Sequence, residues 1–93
     1  MAGGKNHNGI SEAVTWRKTG EEAVILNLET SEYYSANDSG TFIWELLAAG
    51  KKSGKIAEEL SAEYGIPEEQ AALDTAAFIN DLARLKILTQ EAK

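Results

Sequence analysis

Few side chains in this sequence have the chemistry of a catalytic or metal site. The chain of 93 residues has no cysteine and a single histidine, His7, which excludes disulfides, thiolate metal sites and cysteine nucleophiles. His7 lies among glycines and asparagines, so a Ser-His-Asp arrangement or a histidine metal site is not expected. The carboxylate pairs Glu58/Glu59 and Glu68/Glu69 are adjacent and would point to different sides of a helix, as surface charges do. The sequence therefore predicts no enzyme, no metal and no cofactor.

The charge of the chain argues against nucleic acid as a partner. The formal net charge is −6 and the pI is about 4.7, whereas nucleic-acid binding draws on Lys and Arg residues that neutralise phosphates. One local basic cluster, Lys51, Lys52 and Lys55, is followed at once by Glu58 and Glu59. We interpret this cluster as a solvated loop and helix start.

Length and composition indicate one folded domain. Hydrophobic residues make up 43% of the chain and charged residues 26%, which is ordinary for a globular protein of this size. No apolar run is long enough to cross a bilayer, and the N-terminus lacks the apolar stretch of a signal peptide. We predict a flexible arm over residues 1–12, a folded domain over residues 13–90, and a cytoplasmic location away from any membrane.

The first half of the domain has the pattern of a three-stranded antiparallel meander. Residues 14–18, 23–28 and 33–36 are rich in β-branched and aromatic residues and are separated by short polar turns. In the second of these segments, Val24, Leu26 and Leu28 share one face, and Ile25 and Asn27 share the other.

Three helices are predicted to follow, over residues 41–49, from Ser53 to Tyr64, and from Pro67 to about residue 86. The expected start and stop residues are Asn37, Asp38 and Ser39 before the first helix, Gly50 after it, Ser53 before the second, Gly65 after it, and Pro67 in the first turn of the third with Ile66 as its cap. Strands followed by helices indicate an α+β fold, with the helices packed on one face of a small sheet.

Two features of this arrangement suggest a binding surface. The third predicted helix is apolar on more than one side, which fits either a tightly packed central helix or a helix that borders a groove. The third predicted strand would form an edge of the sheet, where its backbone groups are free to pair with another chain, although its tyrosines could equally pack locally. An edge strand beside an apolar groove is the arrangement that β-strand addition of a peptide requires.

The sequence also resembles the PqqD-like family, whose fold is also called the RiPP recognition element. The resemblance covers residues 14–88 and lies in the order and spacing of several segments. These are residues 24–30, Tyr33-Tyr34, Asn37-Asp38-Ser39-Gly40, residues 43–47, residues 56–60, Tyr64, and Asp74 with Phe78, Leu82 and Leu85. It implies a winged-helix-like fold in which a three-stranded antiparallel sheet precedes three helices.

The resemblance also implies a function and a site. In this family the domain binds the leader segment of a ribosomally made precursor peptide as an added strand and presents it to a modifying enzyme, often a radical-SAM enzyme. Transferred to this sequence, the implied binding residues are Tyr33, Tyr34, Ser35 and Ala36 on the third strand and Thr75, Phe78, Ile79 and Leu82 on the third helix. The expected partners are thus a leader peptide and a modifying enzyme, and the chain itself is expected to be a monomer or a weak dimer.

Three positions depart from the family pattern. The family often has Gly before the tyrosine pair, where this chain has Glu32, and a larger apolar residue before Asn37, where this chain has Ala36. It also often has Gly near the end of the last helix, where this chain has Lys86. The first two departures adjoin the implied binding strand, so they bear on which peptide would bind.

Two other functions are compatible with the same predicted fold. A winged-helix DNA-binding regulator would need a basic third helix, but that segment carries Asp74 and Asp81 against Arg84 and Lys86. A dimerisation module would use the exposed strand edge to pair with a second copy of the chain.

Overall fold

The computed structural model describes residues 9–88, and these residues form a sheet followed by helices. The strands are β1 (Val14–Thr19), β2 (Glu22–Asn27) and β3 (Glu32–Ala36), and the helices are α1 (Asp38–Ala48), α2 (Ser53–Tyr64) and α3 (Glu68–Arg84). The predicted α+β order of three strands and three helices is confirmed, with each strand within a residue or two of its expected bounds.

The sheet has the order β1-β2-β3, and both strand pairs are antiparallel. Side chains alternate along β2 as a half-buried strand requires: Ala23, Ile25 and Asn27 are buried, whereas Val24 is exposed. The first set faces the helices, and we call that side the inner face of the sheet. The outer face carries Val24 and, just beyond β2, the exposed Leu28.

The core lies between the inner face of the sheet and the three helices. Trp44 of α1 is fully buried and packs edge-to-face on Trp16 of β1, with ring centroids 5.8 Å apart. The largest fully buried apolar side chains come from every layer, namely Ile25, Trp44, Leu47, Ile56, Leu60, Leu82 and Ile87. Burial of this continuous set is the main force that holds the helices on the sheet.

The helix boundaries agree with the capping signals in most places. Asn37 caps α1 through its side-chain oxygen, which accepts the Gly40 backbone N–H at 2.9 Å. Gly65 ends α2 in the left-handed region at φ 66°, as predicted. The expected cap of α2 was wrong by one residue, because Ser53 is its first helical residue and Lys52 holds the cap position.

Both ends of α3 also differ from the prediction. Pro67 is the cap and not the first helical residue, since its ψ of 147° is extended and Glu68 begins the helix. The helix ends at Arg84, two residues early, because Lys86 adopts a left-handed conformation at φ 62° that terminates it. Lys86 therefore occupies the kind of position for which glycine is the usual choice.

The residues after α3 fold back onto the start of the domain. The buried Asn27 amide donates to the carbonyls of Leu85 and Lys86 at 3.2 and 3.0 Å. Ile10 pairs with Leu88, and the Ser11 backbone N–H donates to the Ile87 carbonyl at 2.9 Å. Ile10 and Ser11, which the predicted arm over residues 1–12 includes, are thus joined to the end of the domain. Residues 1–8 of the predicted arm, and residues 89 and 90 of the predicted domain, lie outside the described residues.

Residues 9–88 contain neither a membrane-spanning helix nor a cluster of metal ligands. No helix in this part of the chain has the length and apolar character needed to cross a membrane. The same residues contain no group of three or more His, Asp or Glu side chains that could hold a metal ion. His7 lies outside the described residues.

Candidate functional site

The candidate site begins at the open edge of the sheet. Because β2 is central, β3 pairs with β2 on one side only, and no further strand of residues 9–88 pairs with its other side. In an antiparallel edge strand, alternate residues point their backbone N–H and C=O groups away from the sheet. An extended chain can therefore hydrogen-bond to β3 without displacing any described part of the protein.

Side chains along β3 alternate between the two faces of the sheet. Tyr34 and Ala36 pair with Ile25 and Ala23, so they share the inner face. Ala36 is buried and Tyr34 is half-buried, whereas Tyr33 on the outer face is 64% exposed. Ser35 is exposed on the same side as Tyr33. The two adjacent tyrosines therefore lie on opposite faces of the sheet, Tyr34 on the inner face and Tyr33 on the outer face.

A groove runs between β3, the start of α1, and α3. Its volume is about 310 Å³, and we call it the β3–α3 groove. Its walls carry aromatic, small and acidic residues, namely Tyr34, Ser35, Asn37, Ser39, Gly40, Ile43, Asp74, Ala77, Phe78 and Asp81. It lies directly beside the unpaired edge of β3, so a chain added to that edge would direct alternate side chains into it.

Two aromatic rings form the apolar part of the β3–α3 groove. Tyr34 and Phe78 meet edge-to-face with centroids 5.5 Å apart and an interplanar angle of 80°. A Cβ added at Gly40 would lie 3.2 Å from both Phe78 Cε1 and Ala36 Cβ. Glycine at position 40 thus allows the start of α1 to approach α3 closely while Phe78 keeps its place beside Tyr34.

Two carboxylates make the α3 wall of the groove acidic. Asp74 and Asp81 both line it, and the lining residues include no lysine or arginine. Burial raises the pKa of Tyr34 above its usual value, and the negative charge of Asp81 raises it further. Both causes disfavour the ionised form of Tyr34, so its hydroxyl remains a hydrogen-bond donor.

Only part of the implied site lines this groove. The structure brings Tyr34 and Ser35 together with Phe78, and Tyr33 and Ala36 flank them on the strand. Leu82 is fully buried in the core. Thr75 and Ile79 are buried too, and they line a second cavity of about 300 Å³ between α2 and α3, which we call the α2–α3 cavity.

The helical period explains this division of α3. Successive residues turn by about 100°, so Asp74, Ala77 and Asp81 share one face. Thr75, Ile79 and Leu82 lie on the next face, toward the core, and Phe78 stands at the boundary. Which of the predicted α3 residues contact a peptide stays a prediction, but Phe78 is the one of them that lines this groove. The polar Asp74 and Asp81, at helical spacing with Ala77, were the signal that could have located it.

Comparison with known proteins relates this geometry to a family. The family model described as coenzyme PQQ synthesis protein D (PqqD) matches residues 22–88, whereas no curated protein matches the chain. A solved structure of TbiB1 in complex with the TbiA(beta) leader peptide is similar, with a TM-score of 0.85 and 32% identity over 90% of this chain and 98% of that chain. A structure of lasso peptide synthetase B1 complexed with the leader peptide has a TM-score of 0.73 and 25% identity, over 81% and 88%.

Proposed function

The chain belongs to the PqqD family, as its sequence predicted, and we propose that it binds the leader segment of a ribosomally synthesised precursor peptide and presents it to a modifying enzyme. One observation carries this proposal. A structure that is similar over 90% of this chain, at 32% identity, is a complex with a leader peptide. The second similar structure is also a complex with a leader peptide.

The proposed mode of binding is strand addition on β3. The free edge of β3 supplies main-chain partners, and the β3–α3 groove takes the alternate side chains of the peptide. In this arrangement Tyr34, Ser35 and Phe78 contact the peptide, and Ala36 supports them from the core. Thr75, Ile79 and Leu82 hold the α3 wall from behind, which is a supporting role and not the direct contact that was first expected of them.

The energy available is that of a moderate binder. Each net backbone hydrogen bond contributes about 0.5–1.5 kcal/mol, and a few of these with one or two buried anchors must offset the ordering of the peptide. The result is a dissociation constant of about micromolar order. Affinity of this order suits a protein that holds a substrate during modification and then releases it.

The role of the chain is that of a carrier and not of a catalyst. Its own residues hold the peptide, and the covalent chemistry belongs to a separate modifying enzyme. We propose a radical-SAM enzyme for this partner and the cytoplasm as the place where the two meet. Pyrroloquinoline quinone synthesis is the namesake pathway of the family, and other peptide pathways share the same requirement for leader binding.

The direct test is a titration with the leader of a precursor peptide encoded beside this gene. In ¹⁵N-labelled protein we expect chemical-shift changes centred on residues 33–36 and on the α3 wall from Asp74 to Asp81, with a scrambled leader as the control. Changes confined to the lysines of residues 51–55, or none at all, would contradict the proposal.

Strand addition itself is tested by proline at position 35. The register places the backbone N–H of Tyr34 toward Ile25 of β2, so Ser35, which pairs with Val24, points its N–H to the open edge. Ser35→Pro removes that donor, and we expect at least about tenfold weaker leader binding in a variant that is still folded by circular dichroism. The matched control is Lys18→Pro, which removes an outward N–H from β1 at the opposite edge of the sheet and should leave the affinity near that of the parent. Unchanged affinity in folded Ser35→Pro would rule out strand addition at β3.

A further inference from the structure

The β3–α3 groove carries charge of one sign. Asp74 and Asp81 line it from α3, and no Lys or Arg lies among its lining residues. The adjoining strand β3, from Glu32 to Ala36, contains an acidic residue and no basic one. A ligand held here therefore meets a negative wall, in a chain whose net charge is already −6.

The contacts that Asp74 and Asp81 make within the domain contribute little to its stability. Asp81 pairs with Arg84, but the side chain of Arg84 is 73% exposed, and exposed pairs of this i,i+3 type contribute little to stability. Asp74 accepts a hydrogen bond from the Gln70 side chain at 2.9 Å, and that contact is also exposed. Incoming cations can replace both partners at small cost, since neither contact is buried.

The spacing of the wall fits an extended peptide. Asp74 and Phe78 are four residues apart on α3, which corresponds to about 6 Å along the helix axis. Side chains on one face of a strand are about 6.6–6.8 Å apart. For a peptide that runs along α3, an apolar side chain against Phe78 and Tyr34 places the next side chain on the same face about one helical turn away, at the level of Asp74. The shorter step from Phe78 to Asp81, about 4.5 Å, is within the reach of a long side chain.

From this geometry we infer that the peptide bound in the β3–α3 groove carries a lysine or arginine two residues away from an apolar anchor. The anchor packs on Tyr34 and Phe78, and the cation pairs with Asp74 or Asp81. This inference rests on the proposed function and specifies the class of leader that the chain selects. Charge complementarity of this kind favours the correct partner and repels acidic ones.

The test uses defined peptide pools and the leader itself. Fluorescein-labelled pools contain one central leucine with lysine, glutamine or glutamate two residues away and small neutral residues elsewhere. Fluorescence anisotropy should show the lysine pool binding about three- to tenfold more tightly than the glutamate pool. The difference should shrink between about 0.05 M and about 0.5 M salt, because exposed charges are screened. In the neighbouring-gene leader, replacing the matching basic residue with glutamine should weaken binding.

A pair of charge-matched double variants distinguishes the effect of the groove carboxylates from the effect of net charge. Asp74→Asn with Asp81→Asn should abolish the preference for lysine. Glu21→Gln with Glu63→Gln makes the same change in net charge on the surface beside Tyr64, outside the groove, and should preserve it. Equal loss of the preference in both double variants would overturn the inference, because the effect would then come from net charge alone.

The remaining outcomes distinguish this inference from the proposed function. If the leader binds but no basic residue in it matters, or if lysine and glutamate pools bind equally, the inference fails and leader binding stands. If the leader binds and none of the pools does, the inference also fails. If neither the leader nor any pool binds, the proposed function fails with it.

Discussion

The two sides of α3 border spaces of nearly equal volume, about 310 and 300 Å³, that differ in backbone hydrogen-bonding groups, aromatic side chains and charge. The β3–α3 groove adjoins an unpaired strand edge, contains a pair of packed aromatic rings and carries two carboxylates. The α2–α3 cavity lies between two helices whose backbone groups are already bonded, and small residues such as Gly54, Ala57 and Ala76 line much of it. Volume alone therefore does not identify a binding site; the free main-chain edge beside one cavity does.

A second difference concerns polar groups. In the β3–α3 groove the polar side chains are half-buried or exposed and have partners or solvent. In the α2–α3 cavity the Thr75 hydroxyl is buried and has no hydrogen-bond partner among the described residues. A buried hydroxyl without a partner costs stability. The two spaces thus differ in whether the polar side chains that line them have partners.

The largest effect should come from truncating a buried residue on each side of α3. Phe78→Ala and Ile79→Ala both remove buried side chains, each 6% exposed, and should lower the free energy of unfolding by about 2–5 kcal/mol. Only Phe78→Ala should also weaken leader binding, because only Phe78 lines the β3–α3 groove. Urea denaturation and calorimetric titration at a temperature where both variants are folded would measure this. An equal loss of affinity in both variants would remove the distinction between the two sides.

A smaller effect is expected from adding one methyl group on each side. Gly40→Ala places a Cβ 3.2 Å from Phe78 and Ala36, which should cost about 1–3 kcal/mol and displace the groove wall. Gly54→Ala is the matched control, because nothing lies within 4 Å of its added Cβ and alanine is the better helix former. The midpoint temperature of thermal unfolding should therefore fall for Gly40→Ala and stay level or rise for Gly54→Ala. Leader affinity should fall for Gly40→Ala alone.

The smallest expected effect is a gain in stability from a substitution in the α2–α3 cavity. Thr75→Val replaces the unpaired hydroxyl with a methyl group of similar size, so it should raise the free energy of unfolding by about 1 kcal/mol. Leader affinity should not change, since Thr75 lines the α2–α3 cavity and not the groove. A loss of leader affinity in this variant would indicate that the peptide reaches Thr75 directly, as sequence reasoning first placed it.

The sequence predicted the elements well because their signals are local. The alternation in β2, the Asn37 cap and the left-handed Gly65 each depend on a few neighbouring residues. The face of α3 that borders the groove was not predicted, because it depends on the rotation of the helix against β3. The packing of α3 also involves contacts between distant residues, such as the hydrogen bonds from the Asn27 amide to the Leu85 and Lys86 carbonyls, and no local pattern encodes them.

The ends of α3 illustrate the same limit. Lys86 adopts the left-handed conformation that ends α3, a position where glycine is the usual residue. Because the sequence has lysine there, it contains no local signal for the end of the helix. The pairing of Ile10 with Leu88 joins residues from opposite ends of the described chain. Contacts between residues so far apart in the sequence form only when the whole domain is assembled, so no local pattern predicts them.

The alternation of side chains along β3 has a consequence for how two proteins could share one substrate. A guest strand laid against β3 continues the pleat of the sheet, so every second residue of it would stand level with Tyr33 on the face that no described helix covers. The chain would then contact one half of the peptide's side chains, and the other half would stay accessible to an enzyme that docks on the outer face of the sheet. The enzyme could therefore bind the peptide before this chain releases it, because the two proteins would contact different side chains of the same segment.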